Sequence, residues 1–444
     1  MSAPSFVLSL ALVAASGGYA CLVTGQEPPG FFAVQQLRSG ERIWIGPNPF
    51  EGSRRPGAAR SQPRTLRDDW LATLVDSSKW PVVLKNAAVF KTYLMILQSE
   101  SGPAPGLSDG ELRQLVQFMR SHGLKIAFEV GGLRTSAAVC GDSAGELRAK
   151  RELALLKRWL SAGGSIDYLT TDHAVMKNLR GVSYRGPGQD PNRACKMSVQ
   201  ELTEELGDYF QMIHKELPNA RLGVIESLGF FQVQAHGKLY RQTDRRLPVW
   251  KFEEYFDDLL AAMKRRALEL DHFHIDFGFE GAAYDGKSDG TLDVGRIVAV
   301  EAYVKSRGVR SGVIFNATYD RRNTNPQPDI VNREVYERTL AFFKRYISAE
   351  RNADHRVLQT WQPYPDRTGP ETEPFTVLNI ARDIINLELG SHRSGSVPAI
   401  GPFRRCPVSS PFVLLGCFQT AYVPETFPTD RQDDVHQLSV AWVE

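Results

Sequence analysis

Four acidic residues stand at the ends of short apolar stretches that are typical of β-strands: Glu129, Asp172, Glu226 and Asp276. In the stretch HFHIDF at 272–277, alternate residues share one face, so His274 and Asp276 are expected to point the same way. Cleavage of a glycosidic bond needs two carboxyl groups, one to protonate the leaving oxygen and one to attack or to activate water. Crowded acids raise one another's pKa, which keeps one of them protonated near neutral pH. We therefore predict that these four residues are the catalytic group of a glycoside hydrolase.

Glu226 and Asp172 are the expected working pair, with Asp276 and Glu129 in support. A single acid at a strand end is commonly a helix cap or the partner of an arginine, but four in phase with small or apolar barrel residues favour a shared site. In this interpretation Val224 precedes Glu226 on one face of its strand. Aromatic side chains would stack on sugar rings, and amides would bind hydroxyl groups. The residues expected to bind substrate are His173, His274, Asn316, Gln359, Trp361, Gln362 and Tyr364.

Eight β-type stretches alternate with amphipathic helices from about residue 40 to residue 390. The helices carry clear start signals, such as Ser108 with Glu111 and Ser198 with Glu201, which predict capping boxes. The predicted strands are 42–46, 89–97, 124–130, 165–171, 220–226, 272–277, 311–317 and 355–361.

Strands that alternate with helices predict a parallel sheet covered by helices, and eight such units predict an α/β protein with a (β/α)8, or TIM, barrel. A doubly wound open sheet is the alternative, although the sequence has neither a glycine-rich dinucleotide loop nor a phosphate-binding GKS/T loop. We assign 31–390 to the barrel. Residues 391–444, rich in Ser, Pro and Arg, are predicted to form an irregular C-terminal extension. In such a barrel the four acids would converge at the C-terminal ends of the strands.

The N-terminal residues 1–20 read as a signal peptide, with a short apolar core that ends at the small-x-small sequence Gly18-Tyr19-Ala20. A buried N-terminal helix is the alternative. Export would make the protein secreted or periplasmic, and Cys21 would be the residue to carry a lipid if the chain is a lipoprotein. We expect no membrane-spanning segment elsewhere.

The four remaining cysteines permit two disulfides in an exported protein. Cys140 with Cys195 is the favoured pair, because both lie in loops after neighbouring predicted strands. Cys406 with Cys417 would close a loop in the tail, and free buried thiols remain the alternative there.

The chain has 444 residues, of which 42% are hydrophobic and 23% charged, with a formal net charge of +2. This composition is typical of a globular protein with a substantial core, and nothing in it favours nucleic-acid binding or a polybasic membrane contact. We expect a carbohydrate partner, no cofactor, no metal and a monomeric state.

Several stretches resemble a group of secreted bacterial barrel proteins that are similar to glycoside hydrolases. They lie between about 67 and 390 and include LKIAFEVGGL, RACKMSVQEL, ARLGVIES and HRVLQTWQPYPDRTGPETEPFTVLNIARDIIN. The resemblance implies acidic residues at Glu129 and Glu226 and an Asp-Glu pair after the fourth strand, where this chain has Asp172-His173. An Asp after strand four paired with an Asp after strand six is another arrangement in sugar-cleaving barrels, and Asp172 with Asp276 would suit it.

Two other functions stay open at the level of the sequence. A metal-dependent sugar isomerase or lyase would use a mixed oxygen and nitrogen shell. The residues available for such a shell are Glu129, Asp172, His173, Glu226, His274 and Asp276. A carbohydrate-binding barrel without catalysis is the third hypothesis, because a histidine stands where the resemblance implies an acid.

Overall fold

In a computed structural model of the chain, eleven stretches are described. They are 41–50, 66–99, 106–135, 143–175, 197–235, 237–241, 249–276, 294–317, 327–349, 353–360 and 364–394. The predicted signal peptide, all five cysteines, Trp361, Gln362 and the end of the C-terminal extension lie outside these stretches. Across the described ranges, no helix has the length and apolar character that a membrane crossing requires.

Eight parallel strands close into a barrel, which confirms the predicted TIM-barrel architecture and rules out the open sheet. Around the barrel the order is β1, β2, β3, β4, β5, β9, β10 and β11, with β11 paired to β1. A small sheet of β6, β7 and β8 follows β5. The strands are β1 (Ile43–Gly46), β2 (Val89–Tyr93), β3 (Lys125–Val130), β4 (Tyr168–Asp172), β5 (Arg221–Glu226), β6 (Phe231–Ala235), β7 (Lys238–Tyr240), β8 (Trp250–Lys251), β9 (His272–Ile275), β10 (Arg310–Phe315) and β11 (His355–Gln359).

The α-helices of the described ranges surround the barrel. Both predicted capping boxes are confirmed: the Ser108 hydroxyl accepts from the Glu111 N–H, and the Ser198 hydroxyl accepts from the Glu201 N–H. The last helix runs beyond the predicted boundary at residue 390. The helices are α1 (Asp68–Leu74), α2 (Pro81–Asn86), α3 (Asp109–Ser121), α4 (Ala144–Ser161), α5 (Val199–Glu216), α6 (Phe252–Arg265), α7 (Gly295–Ser306), α8 (Pro328–Ser348) and α9 (Val377–Ser394).

Side chains alternate between two apolar regions, one between the strands and the helices and one inside the barrel. On β5, for example, Leu222 and Val224 belong to the outer region, whereas Ile225 belongs to the inner one. The inner region also contains Trp44, Val89, Ala127, Tyr168, Ile314 and Val357. This alternation decides which strand-end residues face the interior of the barrel.

Three buried histidines fill the middle of the barrel around Trp44: His272, His274 and His355. His274 Nε2 lies 3.0 Å from His355 Nδ1. Two glycines make room for these rings. A Cβ at Gly223 would stand 2.0 Å from His272 Nε2, and one at Gly312 would stand 2.4 Å from His274 Cδ2. The rings therefore fill a layer that aliphatic side chains commonly occupy in such barrels.

The N-terminal end of the barrel is closed by ion pairs. Glu41 pairs with Lys125, Arg221 and Arg310. Asp271 pairs with Arg310 and lies 3.0 Å from His272 Nδ1. Although burial raises the pKa of Asp271, hydrogen bonds from His272 and Arg310 hold it well below its ordinary value. Both carboxylates at this end are therefore taken up by ion pairs, and the candidate site lies at the opposite end.

Candidate functional site

The C-terminal mouth of the barrel collects polar side chains from six strands or from the residue that follows each strand. Glu129 lies two residues after the inward-facing Ala127, and Asn316 lies two residues after the inward-facing Ile314. Four more polar side chains also lie two residues after an inward-facing residue of their own strand. They reach the same mouth because parallel strands present their C-terminal ends together. They are Tyr93, Asp172, Asp276 and Gln359.

One side of the mouth, which we call the histidine half, consists of Asp172, His173, Asp276 and Asn316. His173 Nδ1 lies 2.8 Å from Asp172 Oδ1, and His173 Nε2 lies 3.4 Å from Asp276 Oδ2. One imidazole therefore stands between two carboxyl groups, and all three side chains are close to nine-tenths buried. Asn316 Nδ2 donates to Asp276 Oδ1 over 3.3 Å.

His173 reaches this position through an unusual backbone conformation. Its φ is +45°, in the left-handed region that residues other than glycine enter at an energetic cost. Its N–H donates to the carbonyl oxygen of Ile225 over 2.8 Å. The edge of the imidazole meets the Phe230 ring at a centroid distance of 5.8 Å. The turn after β4 is thereby attached to β5 and places the imidazole above the end of that strand.

The other side of the mouth, which we call the lysine half, consists of Lys91, Tyr93, Glu129 and Gln359. Lys91 is almost fully buried, and its Nζ lies 2.8 Å from Glu129 Oε2 and also donates to Gln359 Oε1. Gln359 Nε2 donates to Glu129 Oε2 over 2.6 Å and to the Tyr93 hydroxyl over 3.0 Å. The amide of Gln359 is therefore committed to the network and orders it.

Gly46 of β1 lies against the lysine half. A Cβ at Gly46 would touch Gln359 Cγ at 3.4 Å and Lys91 Cβ at 3.5 Å. β1 lies between β2 and β11 in the barrel, and the Lys91 and Gln359 side chains meet across Gly46. Lys91 was missed at the level of the sequence, although alternation with the inward-facing Val89 in VFKTY carries the signal.

The predicted phase of Glu226 was wrong. Val224 belongs to the outer apolar region and Ile225 to the inner one. Because side chains alternate along a strand, Glu226 points outward toward the helices, as Val224 does. It is fully buried, and its Oε1 accepts from the Tyr255 hydroxyl of α6 over 2.9 Å. The structure thus brings Glu129, Asp172 and Asp276 to the mouth and places Glu226 behind it.

Glu226 nevertheless remains close enough to the mouth to affect its charge. Burial raises the pKa of Glu226 to about 7, while the His173 imidazole and the Tyr255 hydroxyl lower it. Its Oε2 has no hydrogen-bond partner among the described residues. A carboxyl group of this kind changes charge near neutral pH, where an exposed glutamate stays ionised.

Two of the predicted substrate-binding residues lie away from the mouth. His274 is buried in the middle of the barrel beneath Asp276, and burial holds its pKa well below the ordinary value. Tyr364 is buried and packs with Val331 and Val335 of α8, so its ring is covered rather than open to a sugar. Although Tyr364 follows β11 closely in sequence, its ring packs against the apolar residues of α8 and does not line the mouth.

The described residues contain no group of three or more His, Cys, Asp or Glu side chains arranged to hold a metal ion. The six residues of the metal-dependent alternative are in fact divided among four places: His274 lies in the barrel interior, Glu226 faces the helices, and Glu129 pairs with Lys91. Only Asp172, His173 and Asp276 remain together.

Comparison with known proteins found no matching family model and no matching curated protein. Among solved structures, the catalytic domain of β-amylase from Paenibacillus polymyxa matches with a TM-score of 0.42 and 10% identity, over 79% of this chain and 99% of that one. A β-glucosidase from Exiguobacterium marinum matches with a TM-score of 0.37 and 13% identity, over 63% and 75%. A truncated 3-deoxy-D-arabino-heptulosonate 7-phosphate synthase from Thermotoga maritima matches with a TM-score of 0.37 and 11% identity, over 80% and 87%. These likenesses concern the barrel fold alone.

Proposed function

We propose that the chain is a glycoside hydrolase that cleaves a poly- or oligosaccharide with Asp172 and Asp276. The observation that carries this proposal is the position of the two carboxyl groups on either side of one imidazole at the C-terminal mouth. This pairing replaces the predicted pair of Glu226 and Asp172, because Glu226 faces α6. Export of the chain, inferred from residues 1–20, belongs to the same proposal.

In this proposal Asp172 and Asp276 perform the paired-carboxyl chemistry, and the His173 imidazole lies beside both of them. One carboxyl group protonates the departing glycosidic oxygen, and the other attacks the sugar or activates water. The imidazole nitrogens lie 2.8 Å from Asp172 Oδ1 and 3.4 Å from Asp276 Oδ2, so the charge of His173 acts on both carboxyl groups. Asn316, which donates to Asp276, keeps that carboxyl group oriented.

The lysine half supplies binding in this proposal. Lys91 holds Glu129 as a carboxylate that accepts hydrogen bonds from sugar hydroxyls. Lys91 and Gln359 both hold Glu129 Oε2, so in this proposal Glu129 takes no part in the proton transfer. Its role is to orient the substrate toward Asp172 and Asp276.

The experiment is an assay of released reducing ends on a panel of poly- and oligosaccharides. Asp172→Asn and Asp276→Asn should each lower kcat/KM by about 1000-fold or more, roughly 4 kcal/mol of transition-state stabilisation. The melting temperature should stay within a few degrees of the parent, because each substitution keeps the side-chain volume. The exposed Asp329 of α8 provides a matched control, and Asp329→Asn should leave the rate unchanged.

Two further measurements assign the roles. Aryl glycosides with good leaving groups should restore much of the rate to the variant that lacks the general acid, and added azide should restore the variant that lacks the nucleophile or base. Full activity in either asparagine variant would overturn the proposal.

A carbohydrate-binding barrel without catalysis is the second candidate, and the observation that favours it is His173 in the place where an acid is expected. Calorimetry on the same panel distinguishes the two functions. Saturable binding of an oligosaccharide with no release of reducing ends would favour the binding function, whereas turnover would remove it.

A further inference from the structure

We propose that Glu226 is a positioning residue, whose buried carboxylate holds the turn after β4 and thereby keeps the His173 imidazole between Asp172 and Asp276. The inference deepens the proposed function and rests on it for its catalytic consequence. The geometric part concerns only His173, the turn that follows it and β5. It can therefore be tested without a substrate.

The turn is attached to two consecutive residues of β5. The His173 N–H donates to the Ile225 carbonyl oxygen over 2.8 Å, and the Val175 N–H donates to Glu226 Oε1 over 3.4 Å. The neighbouring Ala174 backbone N–H also lowers the pKa of the Glu226 carboxyl group. These bonds compensate for the left-handed backbone at His173, which would relax without them.

The carboxylate is itself held from the helix side. Tyr255 of α6 donates its hydroxyl to Glu226 Oε1 over 2.9 Å, and both side chains are fully buried. Glu226 therefore connects α6, β5 and the turn that carries His173. The titratable groups that act on it are His173 from the turn and Tyr255 from the helix.

The charge of Glu226 decides how firmly the turn is held. An ionised carboxylate accepts backbone N–H bonds more strongly than a neutral carboxyl group does, and it also attracts the His173 imidazole. Because burial raises the pKa of Glu226 to about 7, the anchor weakens as the pH falls through 7. The histidine half should then lose its ordered imidazole on the acid side of neutrality.

The test is an NMR titration of the full chain labelled with ¹⁵N-histidine, from pH 5.5 to pH 8.5. The His173 signal is assigned by its loss in His173→Asn. The parent should show an inflection near pH 7 in this signal that comes from Glu226, and Glu226→Gln should abolish that inflection. An unchanged His173 titration in Glu226→Gln would overturn the inference.

Glu205 provides a matched control, because it is also buried and accepts the backbone N–H groups of Ser143 and Gly145 away from the mouth. Glu205→Gln should leave the His173 titration unchanged. If it moves that titration as Glu226→Gln does, the effect is a general loss of structure and the inference fails.

Tyr255→Phe tests the same point while it retains the carboxyl group, which matters if Glu226→Gln does not fold. Loss of the hydroxyl donor removes a hydrogen bond that lowers the pKa of Glu226. The inflection in the His173 signal should therefore move to higher pH. An inflection that stays in place would overturn the inference.

Activity adds the catalytic consequence. Glu226→Gln should lower kcat by about 10- to 100-fold at pH 8 with KM within about twofold, a smaller loss than in the two asparagine variants. If no sugar is cleaved but the NMR result holds, the proposed function fails and the positioning role remains. If sugar is cleaved and Glu226→Gln changes neither kcat nor the His173 signal, the positioning role fails and the proposed function remains.

Discussion

Glu129 and Asp276 lie at the same end of the barrel, yet their carboxyl groups are held in different ways. Glu129 has a buried lysine and the amide of Gln359 beside it. Asp276 has the His173 imidazole and the amide of Asn316, and no lysine or arginine within ion-pair distance among the described residues. Each half therefore combines a carboxyl group, an amide and a nitrogen-containing side chain. That side chain is the lysine Lys91 in one half and the histidine His173 in the other.

The difference between lysine and histidine gives the two halves different roles in the proposed reaction, with binding in the lysine half and proton transfer in the histidine half. In the lysine half the nitrogen is a buried ammonium group that pairs with the Glu129 carboxylate, so this half contains a fixed ion pair. An imidazole titrates close to neutral pH, so the charge of the histidine half can change during a reaction. A barrel mouth that contains both can hold a polar substrate on one side and exchange protons with it on the other.

Lys91→Met should produce the largest change in stability, because it leaves the Glu129 carboxylate at the mouth without its cation. Loss of one partner of a buried ion pair costs about 3–5 kcal/mol. We expect a loss of roughly that size in the free energy of unfolding, measured by urea denaturation. His173→Asn should cost clearly less, since neither imidazole nitrogen makes a hydrogen bond to a described residue's carboxyl group with good geometry.

The double variant Lys91→Met/Glu129→Gln gives the decisive control, since it removes both charges and should recover much of the lost stability. Lys85→Met, on the exposed face of α2, should change the stability by less than about 0.5 kcal/mol. If Lys91→Met is as well tolerated as Lys85→Met, the fixed charge does not distinguish the two halves.

The alternation of β-type and helical stretches was enough to predict the closed barrel and the convergence of Glu129, Asp172 and Asp276. Parallel strands bring their C-terminal ends together, so residues that are in phase with the interior meet there. The prediction failed for Glu226 because Val224 suits either face of a strand. The glycine at 223 carried the better signal, since it faces His272 inside the barrel and fixes the parity of β5.

The role of His173 could not be predicted from the sequence. Its side chain was expected to be out of phase with Asp172, and strand alternation alone gives that result. The left-handed turn moves the imidazole between the two aspartates, and this turn depends on contacts with β5 that join residues about 50 positions apart. The pattern of residues within one strand cannot predict contacts between residues so far apart in sequence. The buried position of Tyr364 was missed for the same reason.

The two halves share one feature, the layer of buried histidines that lies beneath the mouth. His274 of β9 lies one inward-facing position below Asp276, and His355 of β11 lies two below Gln359, with Val357 between them. Burial lowers the pKa of His272, His274 and His355 below the ordinary value of 6.5. The unfolded chain therefore takes up protons as the pH falls through about 6.5, while the folded chain does not, and stability is lost in that range.

We expect the free energy of unfolding to be about 1–2 kcal/mol lower at pH 5.5 than at pH 6.5. Each proton that only the unfolded chain binds costs about 1.4 kcal/mol per pH unit. Glu226 opposes the histidines, because its raised pKa makes the folded chain take up one proton first. Urea denaturation at both pH values measures the net effect, and stability that is flat or higher at pH 5.5 would contradict it.

The smallest expected effects come from the two amide side chains, Asn316 in the histidine half and Gln359 in the lysine half. We expect loss of the first to affect mainly the rate and loss of the second to affect mainly the stability. Asn316 donates one long hydrogen bond to Asp276, and its Oδ1 has no partner among the described residues. Gln359 bonds to Lys91, Tyr93 and Glu129 at once. We expect Asn316→Ala to lower kcat by about fivefold, close to the ~1 kcal/mol of a single hydrogen bond, with little change in melting temperature. Gln359→Met should instead lower the free energy of unfolding by about 1 kcal/mol and leave kcat within about twofold. If the two substitutions affect rate and stability alike, the mouth works as one network and its division into a binding half and a proton-transfer half is wrong.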